Sequence, residues 1–117
     1  MKAEELMVGD WVYIRDCETI ERVESITQKV IYTDASDDIM LDDVNPLPVT
    51  PEILEHNGFK LEHYWQLEIG PRVYVHYLMD AKVLQIRNGA NYMICDCAAV
   101  HELQHAFRQF FKKDIKL

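Results

Sequence analysis

Residues 72–97 run Arg-Val-Tyr-Val-His-Tyr-Leu, Met-Asp-Ala, Lys-Val-Leu-Gln-Ile-Arg, Asn-Gly, Ala-Asn-Tyr-Met-Ile-Cys-Asp-Cys, and this stretch decides the fold class. It holds three runs dense in β-branched and aromatic residues, separated by turn formers. Asn88-Gly89 is the strongest short-range hairpin signal in the chain, because a type I′ turn needs two residues at positive φ. The reading is an antiparallel meander with strands at Arg72–Leu78, Lys82–Arg87 and Ala90–Cys95. A further strand at His63–Leu67 precedes them, cut off by Gly70-Pro71. Beyond Cys97 the period changes. Val100, Leu103, Phe107 and Phe110, flanked by Ala106 and Phe111, recur at helical spacing over residues 98–112. A helix there would lay its apolar stripe on the meander, and Ile115–Leu117 would finish as a short strand.

Upstream lies the clearest helix start in the chain. Thr50 is a good N-cap, Pro51 suits the first helical position, and Glu52 sits where the helix dipole favours an anion. Gly58 closes this two-turn helix, Pro51–Asn57, and Phe59 is placed to fold back on it. Before it, Asn45-Pro46-Leu47-Pro48 can serve only as an edge or connector. The first 48 residues carry short β runs at Trp11–Arg15, Arg22–Thr27, Lys29–Thr33 and Ile39–Leu41. Strands so closely spaced suggest a small, strongly bent sheet or barrel of the SH3-like kind. The expected fold is thus α+β, a single domain over 1–117: an acidic SH3-like section, a short helix, and a meander packed by a C-terminal helix.

Composition narrows the function classes. At 117 residues, 49% apolar and 27% charged, the chain can build one real core, and disorder is disfavoured. No apolar run reaches the roughly 20 residues of a membrane-spanning helix. The start Met-Lys-Ala-Glu-Glu-Leu-Met-Val-Gly-Asp has no signal-peptide pattern, so the expected location is the cytoplasm, with no membrane partner. Three cysteines, Cys17, Cys95 and Cys97, agree with free thiols in a reducing compartment. The formal charge of −8 sits wholly in residues 1–48, which hold four basic and twelve acidic residues. Such a surface repels phosphate backbones, which argues against nucleic acid; its plainer reading is a solvated, solubility-giving face, and the sharper one a docking face for a basic protein partner. Asp34, Asp37, Asp38, Asp42 and Asp43 form the candidate interaction face. They lack the order, the glycine and the terminal glutamate of a calcium loop. A weaker alternative makes the same acids a mimic of nucleic acid.

The one catalytic signature is His101-Glu102-Leu103-Gln104-His105. H-E-x-x-H on a helix sets two imidazoles one turn apart to share a zinc ion, with the glutamate placed to deprotonate a bound water. A zinc-dependent hydrolase or peptidase, with His101 and His105 as ligands and Glu102 as base, is therefore the alternative function. It lacks a third ligand: position 111 is Phe111, and no glutamate follows Glu102 among these residues. His101, His105, Arg108 and Lys112 fall on one side of the helix, which reads as a solvent face, and the two cations would weaken dication binding. Cys95 and Cys97 with the two histidines make a further zinc set, but buried, packing cysteines are the plainer reading. The preferred expectation is therefore no cofactor and no catalytic residue.

Three stretches carry a family resemblance: Met-Lys-Ala-Glu-Glu-Leu-Met-Val-Gly-Asp-Trp-Val-Tyr at the start, Asn-Pro-Leu-Pro-Val-Thr-Pro-Glu-Ile-Leu-Glu-His-Asn-Gly-Phe in the middle, and Val-His-Glu-Leu-Gln-His-Ala-Phe near the end. Together they resemble a family of small proteins abundant in gut bacteria of the Bacteroides group and in their phages and mobile elements. The resemblance implies no activity, and hence no functional residues to transfer. It implies that Val100, His101, Leu103 and Gln104 are the structural signature of the last helix, with glutamine often standing where this chain has Glu102. The leading expectation is a non-catalytic accessory or protein-interaction module.

Overall fold

A computed structural model describes all 117 residues. Period-two alternation sets the first sheet, formed by β1 (Trp11–Ile14), β2 (Thr19–Ile26), β3 (Val30–Thr33), β4 (Ile39–Met40) and β5 (Val44–Pro46). Every pairing is antiparallel, in the order β4-β3-β2-β1-β5. Val12, Ile14, Val23, Ile31, Ile39 and Val44 point inward and, with Leu6, make a cluster of seven buried residues. The two edge strands are joined only by a 3-10 turn, Leu41–Asp43. A flat five-stranded sheet would hold its edges about 19 Å apart, whereas three 3-10 residues advance about 6 Å. The sheet must therefore roll up on this cluster. It does not close: β4 is two residues long and does not pair with β5, so the barrel anticipated from the strand spacing remains an open, rolled sheet.

Helix α1 (Pro51–His56) begins as its residues dictate, with the Ile53 N–H donating to Thr50 Oγ1 at 3.3 Å and Pro51 in the first turn. Gly58, at φ +89°, ends it, and the Phe59 N–H returns to the Leu54 carbonyl at 3.0 Å. Leu54 and Phe59 thereby enter the second core.

The second sheet holds β6 (Lys60–Leu61), β7 (Trp65–Gly70), β8 (Val73–Leu78), β9 (Val83–Asn88) and β10 (Asn91–Asp96), again antiparallel, in the order β10-β9-β8-β7-β6. The hairpin at Asn88-Gly89 differs from the expected turn. Asn88 pairs with Asn91, so the two central residues are Gly89 and Ala90, and only Gly89 has positive φ (+63°). That is the pattern of a type II′ turn with glycine first. Helix α2 (Val100–Phe111) covers one face, burying Val100, Leu103, Ala106 and Phe107, while Phe110 stays 38% exposed. Lys112, at φ +54°, ends the helix, and Ile115 turns back into the core without forming the expected strand.

The apolar interior is thus divided. The second cluster has fourteen buried residues against seven in the first. The molecule measures 45 × 22 × 22 Å, and its radius of gyration of 15.0 Å exceeds the roughly 13 Å of a compact chain this long. No helix is long and apolar enough to cross a membrane. How the two halves are joined decides where the conspicuous residues of α2 go.

Candidate functional site

Residues 101, 104, 105 and 108 form one band along α2, beside the apolar stripe. This band is not a solvent face. It packs against the Met7–Trp11 segment that leads into β1. Gln104, fully buried, accepts a hydrogen bond from the Trp11 N–H at 2.8 Å and donates through Nε2 to the Gly9 carbonyl at 3.0 Å and to Asp114 at 3.3 Å. Asp10 is fully buried too. Its carboxylate meets His105 Nε2 at 2.8 Å and Arg108 at 3.2 Å, and accepts the Met7 N–H at 2.8 Å. Arg108 also donates to the Val8 carbonyl at 3.3 Å. Gly9 is required here by its backbone, at φ +93°, and the Arg108 guanidinium lies 2.9 Å from where a Cβ would stand.

Arg22 on β2 completes the joint. It donates to the Gly9 carbonyl, pairs with Asp114, and lies 5.2 Å from the centre of the Trp11 ring. Burial alone would raise the Asp114 carboxyl. Hydrogen bonds from Gln104 and the Ile115 N–H, with Arg108 and Arg22 nearby, hold it below the usual carboxylate range instead.

The HELQH residues now have definite positions. One oxygen of Glu102 accepts the N–H groups of Ala98 and Ala99, each at 3.1 Å. It therefore caps its own helix, satisfying donors that Ala99 cannot. His105 spends Nε2 on Asp10. His101 is 6% exposed, its ring 5.6 Å from that of His105, and its Nδ1 is buried without a hydrogen-bond partner. Desolvation lowers the His101 pKa, against the opposing pull of Asp10 and Glu102, so the ring is neutral at pH 7. Above the two imidazoles opens a cleft of about 500 Å³ walled by Glu4, Glu5, Pro46 and Pro48. No three His, Cys, Asp or Glu side chains converge as a ligand set for a metal ion.

The other candidates lie apart from this joint. Cys97 is buried in the second core beneath Tyr77, whose hydroxyl donates to the Cys97 carbonyl at 2.7 Å, and burial pushes its thiol far up. Cys95 is half-buried and likewise shifted upward by burial. Asp34, Asp37 and Asp38 occupy the connection from β3 to β4, and Asp42 and Asp43 the 3-10 turn that follows. All but Asp43 are exposed. Asp34 accepts the Arg22 N–H at 3.0 Å, and Asp38 accepts the Tyr32 hydroxyl at 2.7 Å.

Sequence reasoning passed over Asp10, Gln104, Arg108 and Asp114 as joint residues. One signal was readable. Gln104 falls at i+4 from Val100 and i−3 from Phe107, at the margin of the apolar stripe, where a polar side chain that is buried must be bonded. Asp10, 94 positions away, carried no such mark. No family model matches the chain, and neither curated proteins nor solved structures give a significant match.

Proposed function

We propose that this chain is a non-catalytic interaction module of the cytoplasm that offers its acidic first sheet to a basic surface on a protein partner. The observation that carries the reading is how side chains are used. Glu102 and His105, the residues a hydrolase would need free, cap a helix and bind Asp10, whereas Asp37, Asp38 and Asp42 stand exposed on two adjacent turns. The Asp43 carboxyl is raised, chiefly because its protonated form can donate a hydrogen bond to Asp16, then by desolvation and the charges of Asp16 and Asp42, against the pull of Arg15. Like charges are therefore crowded at this edge, and a partner's cation would relieve them. The strand order β4-β3-β2-β1-β5, with a 3-10 turn before the last strand, supports an SH3-like description of this half. Membership of the small proteins of Bacteroides-group bacteria and their mobile elements is part of the same proposal.

The test is capture from a native lysate with the wild type and a charge-reversed variant. Asp37, Asp42 and Asp43 become Lys, and Asp38, at φ +51°, becomes Asn to respect its backbone. The module loses its partner in the variant; an unchanged set of partners sinks the acidic-face reading. The zinc hydrolase requires Glu102 and His105 to leave their present partners. Stoichiometric zinc in protein purified without added metal, lost on His101→Ala, would establish it instead.

A further inference from the structure

Sheet edges present unpaired backbone groups, and folded proteins blunt them with short strands, proline, bulges or charge. Three of the four edges here are blunted: β4 and β6 have two residues each, and β5 has three and ends in Pro46. The fourth is not. β10 runs six residues, pairs only with β9, and carries no charge from Asn91 to Cys95. Tyr92, Met93 and Ile94 follow one another along it at 63%, 46% and 54% exposure. On the α2 side, Met93 continues into an apolar groove of about 300 Å³ with Val73, Ile86, Phe110 and Phe111.

We propose that β10 is the seat of a second copy of this chain, paired antiparallel about a two-fold axis normal to the sheet, so that the two five-stranded sheets become one. The edge is self-complementary in the way such an axis demands. An axis through Met93 sets residues whose numbers sum to 186 opposite each other on the same face. Tyr92 then meets Ile94 of the second copy, an aromatic to β-branched pair made twice, and Met93 meets its own equivalent beside both Phe110 rings. No like charges face each other. Asp96 of one copy falls opposite Ala90 of the other, on the face that also carries Arg87, so the nearest charge of the second copy on that face is of opposite sign. The formal net charge of −8 belongs to the other half, since residues 49–117 are net neutral, so the mating half adds no net repulsion of its own. This inference does not rest on the acidic-face reading, which concerns the other sheet.

Sedimentation equilibrium over roughly 1–500 µM, the range of small interfaces, decides it. The wild type should approach twice its 13.8 kDa mass. Ile94→Lys places a charge on an exposed site and should weaken association at least ~30-fold while leaving the near-ultraviolet dichroism of Trp11 and Trp65 intact. Tyr92→Lys repeats the test at a second exposed position. Nitroxide labels at Met93→Cys, with Cys17 changed to Ser, should lie within about 20 Å across the dimer if the strand spacing holds. A wild type that stays monomeric throughout overturns the proposal, as does a dimer indifferent to both lysine substitutions.

Discussion

Gln104→Met separates a structural joint from a catalytic helix, because the middle of an H-E-x-x-H motif has no part in zinc chemistry. Methionine matches the shape of glutamine and keeps helix propensity. It removes one acceptor and two donated hydrogen bonds. The Gly9 carbonyl keeps Arg22, and Asp114 keeps Arg22, Arg108 and the Ile115 N–H, so those losses cost about 0.5–1 kcal/mol each. The Trp11 N–H is left with nothing, which costs about 1–3 kcal/mol. Against this, burying the thioether chain returns about 1 kcal/mol. The net loss is about 2 kcal/mol, a large fraction of the roughly 6–15 kcal/mol a domain of this size has. Urea unfolding followed by tryptophan emission reads it directly, as a midpoint shift at unchanged slope. Gln104→Glu is the companion variant. It keeps an acceptor for Trp11 but turns an acid toward Asp114, and should lose at least as much. If Gln104→Met unfolds within about 0.5 kcal/mol of the wild type, the joint described here is not holding the two halves together.

Three further outcomes follow from the same contacts. Glu102→Gln should unfold within about 0.5 kcal/mol of the wild type, because glutamine also accepts the N-terminal N–H groups, whereas Glu102→Ala should lose about 1 kcal/mol in the same melts. His101 is held neutral, with its folded pKa below the unfolded value near 6.5. Stability from this group is therefore whole above that pH and declines as the pH falls toward the folded value, and a urea series from pH 8 to pH 5 on His101→Leu should lack that part of the slope. Leucine also removes the unpartnered Nδ1, so at pH 8 the variant should be no less stable than the wild type by more than about 1 kcal/mol. Ellman's reagent at pH 8 should label exposed Cys17 rapidly and Cys97 only as the protein unfolds; rapid release of three equivalents would contradict the buried, upward-shifted thiol.

What could be read from the chain followed locality. The cap Thr50-Pro51, the stop Gly58-Phe59 and the stripe on α2 each act within a few residues, and each lies where the spacing placed it. For β5 only an edge or connector was legible, because its pairing is set by a distant partner, Val44–Pro46 with Val12–Ile14; β6 was missed, because the two residues Lys60–Leu61 are ordered only by pairing with Trp65 and Gln66. The hairpin turn was misassigned by one residue, since Asn-Gly fits either side of a register that only the β9–β10 pairing fixes. The polar band of α2 failed for the same reason at longer range. A stripe of histidine and arginine looks identical whether it meets water or a carboxylate from residue 10. The position of Gln104 at the margin of the apolar stripe was the only local hint that it meets protein.

The division of the interior into seven and fourteen residues, bridged through Gln104 and Asp114, fixes an order of events while the chain is made. The first sheet leaves the ribosome before α2 with a core too small to hold itself firmly, and the side chain that clamps its Gly9–Trp11 corner follows 95 residues after Gly9. The N-terminal strands lack that clamp until α2 arrives, and a nascent chain halted before residue 104 would leave the Gly9–Trp11 corner of the first sheet unheld.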